Sequence, residues 1–289
     1  MKIYTLKSTY QTHKHLDIHS LIEFHFVFDA YEITPKYYDI FEAIRYEILY
    51  KVDELKKRFY FDNKHQKLIS KALYKLSKND RKQNYVFKLF PRGLAHIIYT
   101  NILFSDLIYI EKSSEKPIIK DKKEKIKKEL RRYTIEDKLH FKNNFTRFWF
   151  RFIEPNLKLI ELGKYDLMME IIMQDFDNYA SLPFELLAKE IIANRLKIPP
   201  FEIVSYWDKD IEIDIFIKSK IGYIVGEVKY KNKKICKNIV NILLKKCDKI
   251  NIKPAKIVLI SKNGFSNELL KEKNENITLF SIENFKELL

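Results

Sequence analysis

Asp214 and the pair Glu227 and Lys229 are the residues whose types and spacing carry chemistry in this chain of 289 residues. Asp214 lies in IEIDIFIK (211–218), where Ile211, Ile213, Ile215 and Ile217 alternate with Glu212, Asp214 and Phe216. Successive side chains of a strand point to opposite faces, so Asp214 stands off the isoleucine face. In GYIVGEVKY (222–230), Val225, Glu227 and Lys229 share one side, and Ile224, Gly226 and Val228 share the other. A hairpin around Lys218 to Gly222 would place Asp214 and Glu227 across from one another, where two carboxylates meet one lysine. Close carboxylates repel; a divalent cation relieves the repulsion, and hard oxygen donors select Mg2+ or Mn2+. Positions on such an ion remain for a phosphate oxygen and a water, with Lys229 orienting the water or neutralising charge at phosphorus. Glu185, on the preceding helical segment, adds a third carboxylate or holds a metal-bound water. A salt bridge on an edge strand is the plainer reading of Asp214, Glu227 and Lys229, and the spacing alone leaves both open.

The elements that must position these residues follow Leu182-Pro183. A helix is expected over 184–196 and strands over 201–207, 211–218 and 222–230. A helix over 235–250, a buried strand over 255–261, a helix over 265–273 and a last strand over 277–281 complete the order. Helix, three strands, helix, strand, helix, strand describes one α/β domain over 181–289.

The N-terminal half reads differently. Thr34-Pro35, followed by apolar residues from Ile40 to Leu55 at spacings of three and four, predicts a capped amphipathic helix. Helices over 64–78 and 89–104, a strand over 107–112 and a second short strand near Pro117 to Ile119 give an order compatible with a winged helix. FTRFWFRF (145–152) has two readings: a base-stacking surface, and an aromatic core helix with Arg147 and Arg151 on its polar edge, which the density of rings favours. His13, His15 and His19 are weighed as a metal site and set aside as surface residues, for want of cysteine or a fourth ligand. The divisions are a helical region (1–60), a winged-helix-like domain (61–130), a helical linker region (131–180) and the α/β domain (181–289). The fold class is thus α/β locally and α+β overall.

Charge points to a polyanion. The chain has 54 Lys and Arg against 39 Asp and Glu, a net +15, although an AT-rich genome also enriches lysine. Residues 112–132 hold ten basic and four acidic residues, which suits an arm on phosphate or a solvated helix. Lys231, Lys233, Lys234 and Lys237 follow the candidate site with no acid between them and form a candidate backbone-tracking patch, or the solvent face of a helix. Cys236 and Cys247 form no metal-binding or disulfide pattern, and no run approaches a membrane span, so a reduced, soluble, cytoplasmic protein is expected.

At this point the residues carry a resemblance. Asp214, twelve intervening residues and Glu227-Val228-Lys229, after a helix bearing Glu185, look like the PD-(D/E)XK nuclease superfamily. More specifically, SYWDKDIEIDIFIKSKIGYIVGEVKYKNK (205–233) and the linker 139–156 resemble the winged helix and C-terminal domain of unknown function (family 234) that follow archaeal-type P-loop ATPases. The resemblance covers about residues 100–289. It implies a restriction-endonuclease-like mixed sheet flanked by helices. It also implies Asp214, Glu227, Glu185 and the Val228 backbone carbonyl as metal ligands, with Lys229 as the catalytic lysine. Ile213 stands where the superfamily name has proline, a frequent variation. No two of the five glycines have the spacing of a Walker A loop, so an ATPase, where needed, would be a partner. The expectation is a Mg2+- or Mn2+-dependent endonuclease acting on duplex or branched DNA, with a homodimer as one oligomeric option. The rival is a non-catalytic DNA-binding or regulatory protein using the winged helix and a nuclease-like docking domain.

Overall fold

Side-chain caps set the helix starts in the N-terminal half. Thr5 and Ser8 form a reciprocal capping box at α1 (Leu6–Thr12), and Asp17 accepts the Ser20 N–H at α2 (Ile18–Phe28). Asp39, not Thr34-Pro35, caps α3 (Ile40–Ile44) by accepting the Glu42 N–H at 2.8 Å. The expected long helix instead breaks into α3, a wide π-type turn (Arg45–Leu49) and α4 (Val52–Leu55). The computed structural model describes residues 5–61, 64–78, 81–115, 133–272 and 274–289.

The chain divides into two compact units. The first comprises Met1–Ile110, Leu139–Leu187 and Ile282–Leu289, and the second Glu111–Lys138 and Ala188–Ser281. The first unit continues with α5 (Gln66–Leu76), α6 (Asn84–Leu89), α7 (Arg92–Phe104), β1 (Ile108–Glu111), β2 (Lys138–Phe141), α8 (Asn144–Phe148), α9 (Leu157–Glu161) and most of α10 (Tyr165–Leu196). β1 pairs with β2, so 138–141, read as linker, is a strand. The second wing strand expected near Pro117 to Ile119 lies outside the described residues, as does most of the charged run 112–132.

FTRFWFRF is core. Phe148, Trp149, Phe150 and Phe152 are at most 2% exposed, which rules out the base-stacking reading. Arg147 departs from the expected polar edge. It is buried, donates to the Ser77 carbonyl at 3.0 Å and the Tyr179 carbonyl at 2.9 Å, and burial lowers its pKa to about 9. The histidines make no shared site: His13 is buried rather than on the surface, His15 pairs with the Tyr37 carbonyl, and exposed His19 lies 3.8 Å from Glu283.

Pro183 does not end a helix. Proline costs about 3 kcal/mol inside one, yet α10 runs 32 residues through it. Leu182, Phe184 and Leu187 around it are buried, and burial of about 1.5–3 kcal/mol per large apolar side chain offsets the lost hydrogen bond.

The second unit holds β3 (Val204–Trp207), β4 (Glu212–Ser219), β5 (Gly222–Lys229), α11 (Lys237–Lys249), β6 (Pro254–Ser261), α12 (Asn267–Lys271) and β7 (Ile277–Ser281). The strands form one mixed sheet in the order β3-β4-β5-β6-β7. β3, β4 and β5 are antiparallel neighbours, and β5, β6 and β7 are parallel with helical crossovers. A helical N-terminal half followed by a mixed sheet flanked by helices is therefore the fold. The β4–β5 hairpin closes at the Ser219–Gly222 pair, where Gly222 takes φ +115°. α11 covers one sheet face, with Val240, Leu243 and Cys247 packed in the cluster that contains Val225, Ile257 and Leu259.

Candidate active site

Phe216 and Val225 are direct cross-strand partners, and such partners share a face. Counting by two puts Glu227 and Lys229 with Val225, but the count does not carry from Phe216 to Asp214. The β3–β4 register shifts between Val204↔Phe216 and Tyr206↔Ile213, a bulge in β4 at Asp214–Ile215, and Ile213 packs with Val225 in the cluster under α11. Glu227 and Lys229 thus stand on the sheet face that α11 covers, and Asp214 sits at the bulge of the neighbouring strand.

The β4–β5 pairing runs from Ser219–Gly222 to Ile215–Gly226. Beyond it, the Val228 N–H donates to Asp214 Oδ2 at 2.8 Å. Asp214 therefore ties its carboxylate to β5 where the two strands part. Gly226 allows the close approach of the strands. A Cβ there would sit 2.7 Å from the Val258 carbonyl oxygen and 3.0 Å from Ile215 Cβ.

Glu227 is 7% exposed. A buried carboxylate is costly unless its charge is matched, and here both oxygens are engaged. Lys229 Nζ donates to Oε1 at 2.6 Å and Lys246 Nζ, from α11, donates to Oε2 at 2.9 Å. Asp214, Glu227, Lys229 and Lys246 sum to zero formal charge. Lys246 lies outside the Asp-x12-Glu-Val-Lys spacing and was not among the candidate residues. The overlooked signal is its position three residues after Leu243, on the flank of the stripe that α11 buries.

A second buried network holds Asp214 from behind. The Ser205 hydroxyl donates to the Asp214 carbonyl at 3.0 Å, and Lys189 Nζ donates to Ser205 Oγ at 2.8 Å. Lys189 Nζ also lies 3.4 Å from Glu111 Oε1. Lys189, Ser205 and Glu111 had no motif to mark them, since their role depends on β3 pairing with β4.

Glu185 is half-buried on α10, within the first compact unit. Lys231, Lys233 and Lys234 are exposed on the loop between β5 and α11. Lys237 opens α11 and pairs with Glu272 at 3.5 Å and Glu268 at 4.0 Å. Among the described residues no group of three or more His, Cys, Asp or Glu side chains is gathered for a metal ion. The donor set in the second unit is the two carboxylates, Asp214 and Glu227. Their hard oxygens suit Mg2+ or Mn2+, which are commonly held by one or two carboxylates with waters and phosphate. Lys229 and Lys246 supply the positive charge at Glu227 in this structure.

A family described as archaeal and bacterial proteins of unknown function (DUF234) matches residues 149–239, a stretch that contains Asp214, Glu227 and Lys229. The chain is also similar to the uncharacterized protein MJECL04 of Methanocaldococcus jannaschii, at 36% identity over 97 residues. That stretch is 32% of this chain and 20% of the relative, so the chain spans about a fifth of that protein's length. No solved structure matches.

Proposed function

We propose that the second unit is a metal-dependent nuclease of the PD-(D/E)XK type that hydrolyses DNA phosphodiester bonds. The observation that supports this reading is the Val228 N–H donating to Asp214 Oδ2 at 2.8 Å, which holds the Asp214 carboxylate against the stretch of β5 that bears Glu227 and Lys229. A bound Mg2+ or Mn2+ would supply Lewis acidity toward a phosphate oxygen and a water of lowered pKa. Asp214 and Glu227 would hold it, with the Val228 carbonyl as a further ligand implied by the resemblance. Lys229 exchanges its Glu227 partner for the phosphate or the attacking water and stabilises negative charge as the P–O bond breaks. The Val228 N–H keeps the Asp214 carboxylate oriented. Lys231, Lys233, Lys234 and Lys237 lie along the exit of β5 and the start of α11, where they would follow the DNA backbone.

One observation favours a second reading, a non-catalytic DNA-binding or regulatory role with an ATPase as partner. Glu227 is already neutralised by two ammonium groups, as a purely structural carboxylate would be. Linear, flapped and branched DNAs incubated with wild type, Asp214→Asn, Glu227→Gln and Lys229→Ala separate the two. The nuclease reading expects cleavage to fall about 100-fold or more in each variant, with DNA binding in EDTA unchanged or tighter. Binding by wild type with cleavage of none of these DNAs in Mg2+ or Mn2+ supports the second reading.

A further inference from the structure

The positive charge of this chain is concentrated. Residues 63–105 carry nine Lys and Arg against the single acid Asp80, a net +8, and residues 112–132 a further +6, which leaves the other 225 residues together at net +1. A genome bias toward lysine codons does not deplete acids locally, so composition alone does not account for this segment.

α5 arranges that charge on one side. Lys67, Lys71 and Lys75 recur every fourth residue and Lys78 follows just past the helix, while Ile69, Ala72, Leu73 and Leu76 face the core. α6 extends the patch: Lys75 and Lys88 lie over the Tyr85 ring at 4.7 and 5.3 Å, and Lys78 lies over Tyr74 at 4.4 Å. None of Lys67, Lys71, Lys75, Lys78 and Lys88 pairs with a carboxylate among the described residues. Lys138, Lys229, Lys237 and Lys246 in the second unit do, as do Lys51, Lys56 and Lys142 in the first, whereas Lys231, Lys233 and Lys234 do not among the described residues. The helix that follows, α7, carries one Lys or Arg, Arg92; the charge is on α5 and α6.

We infer that the α5–α6 lysine face docks the phosphate backbone of duplex DNA without reading sequence. Four residues of helix rise about 6 Å, close to the axial rise of two phosphate charges of one strand at about 3.4 Å each along the duplex axis. Lysine is a flexible point charge that tracks a backbone, whereas bidentate base recognition favours arginine. An acidic membrane surface fits less well, because the apolar side of α5 is spent in the core and cannot insert. This surface lies in the first unit and extends the nucleic-acid reading without depending on hydrolysis.

The test is fluorescence anisotropy of the full chain on a fluorescent mixed-sequence DNA duplex in EDTA, across a salt series, beside co-sedimentation with phosphatidylserine vesicles. Lys67→Glu/Lys71→Glu/Lys75→Glu should raise Kd at least tenfold at about 0.1 M salt and flatten the log Kd against log salt slope by about 2.7, at about 0.9 per phosphate contact. The Lys→Gln triple variant should show the same direction and serves if charge reversal impairs folding. Unchanged affinity in a folded triple variant, no binding of the duplex by wild type, or wild-type binding to vesicles but not DNA would overturn the inference. Loss only in Lys231→Glu/Lys233→Glu/Lys234→Glu would overturn it too, while leaving the nuclease reading standing.

Discussion

Glu227 is a carboxylate shielded from water and clamped between two ammonium groups, and its behaviour sets what the site can do. A divalent ion must compete with Lys229 and Lys246 for its oxygens. Lys246→Met removes one competitor, so Mn2+ affinity measured by electron paramagnetic resonance should rise severalfold, with the fold retained. Unchanged or weaker Mn2+ binding would show that Lys246 does not compete there. The shared face of Glu227 and Lys229 was legible from strand parity, but the bulge that breaks the count at Asp214 was not. Nor were the Val228 N–H on Asp214 and the Lys189–Ser205 support behind it. They arise from a local parting of strands and from tertiary pairing that no spacing encodes.

At the scale of elements, the second unit was read nearly strand by strand. Its alternating and continuous apolar runs and its sparse glycines mark boundaries well. Reading was poorer where packing overrides local rules, as at Pro183 within α10 and in the broken helix after Asp39. Gly226 is a specific test of the β5–β6 approach. Gly226→Ala should destabilise by about 1–3 kcal/mol in urea unfolding, since its methyl meets a backbone carbonyl that cannot give way cheaply. A second test concerns the first unit. Burial lowers the His25 pKa to about 4 and raises that of Asp29, whose carboxylate accepts the Asn144 and Phe145 N–H groups at the start of α8, to about 7. His25 is depressed below its unfolded value, so its stabilisation is present above about pH 6.5 and is lost as pH falls toward about 4. It is worth about 3 kcal/mol. Asp29 is raised, so its contribution is full below about pH 4 and is lost as pH rises through about 7. The two slopes oppose each other in the wild type. Urea unfolding at pH 4.5 and 7.5 should find His25→Gln relatively more stable at the acid pH and Asp29→Asn relatively more stable at the neutral one. Identical pH profiles for wild type and both variants would contradict the assigned burial.

Over the whole molecule the net +15 divides as +3 in the first unit and +12 in the second, yet α5 and α6 of the first unit gather a lysine face while the mixed sheet pairs a carboxylate with two lysines. The net charge was visible in the composition, but the face became meaningful only once α5 placed its lysines on one side and the core on the other. The measurement that bears most directly on the central claim is nicking of supercoiled plasmid by purified wild type and Asp214→Asn in Mg2+, Mn2+ and EDTA. Wild type should give open-circular and linear products in either metal and none in EDTA, and Asp214→Asn should be at least 100-fold slower. Intact plasmid with the wild type in both metals, or nicking that persists undiminished in Asp214→Asn, would contradict it.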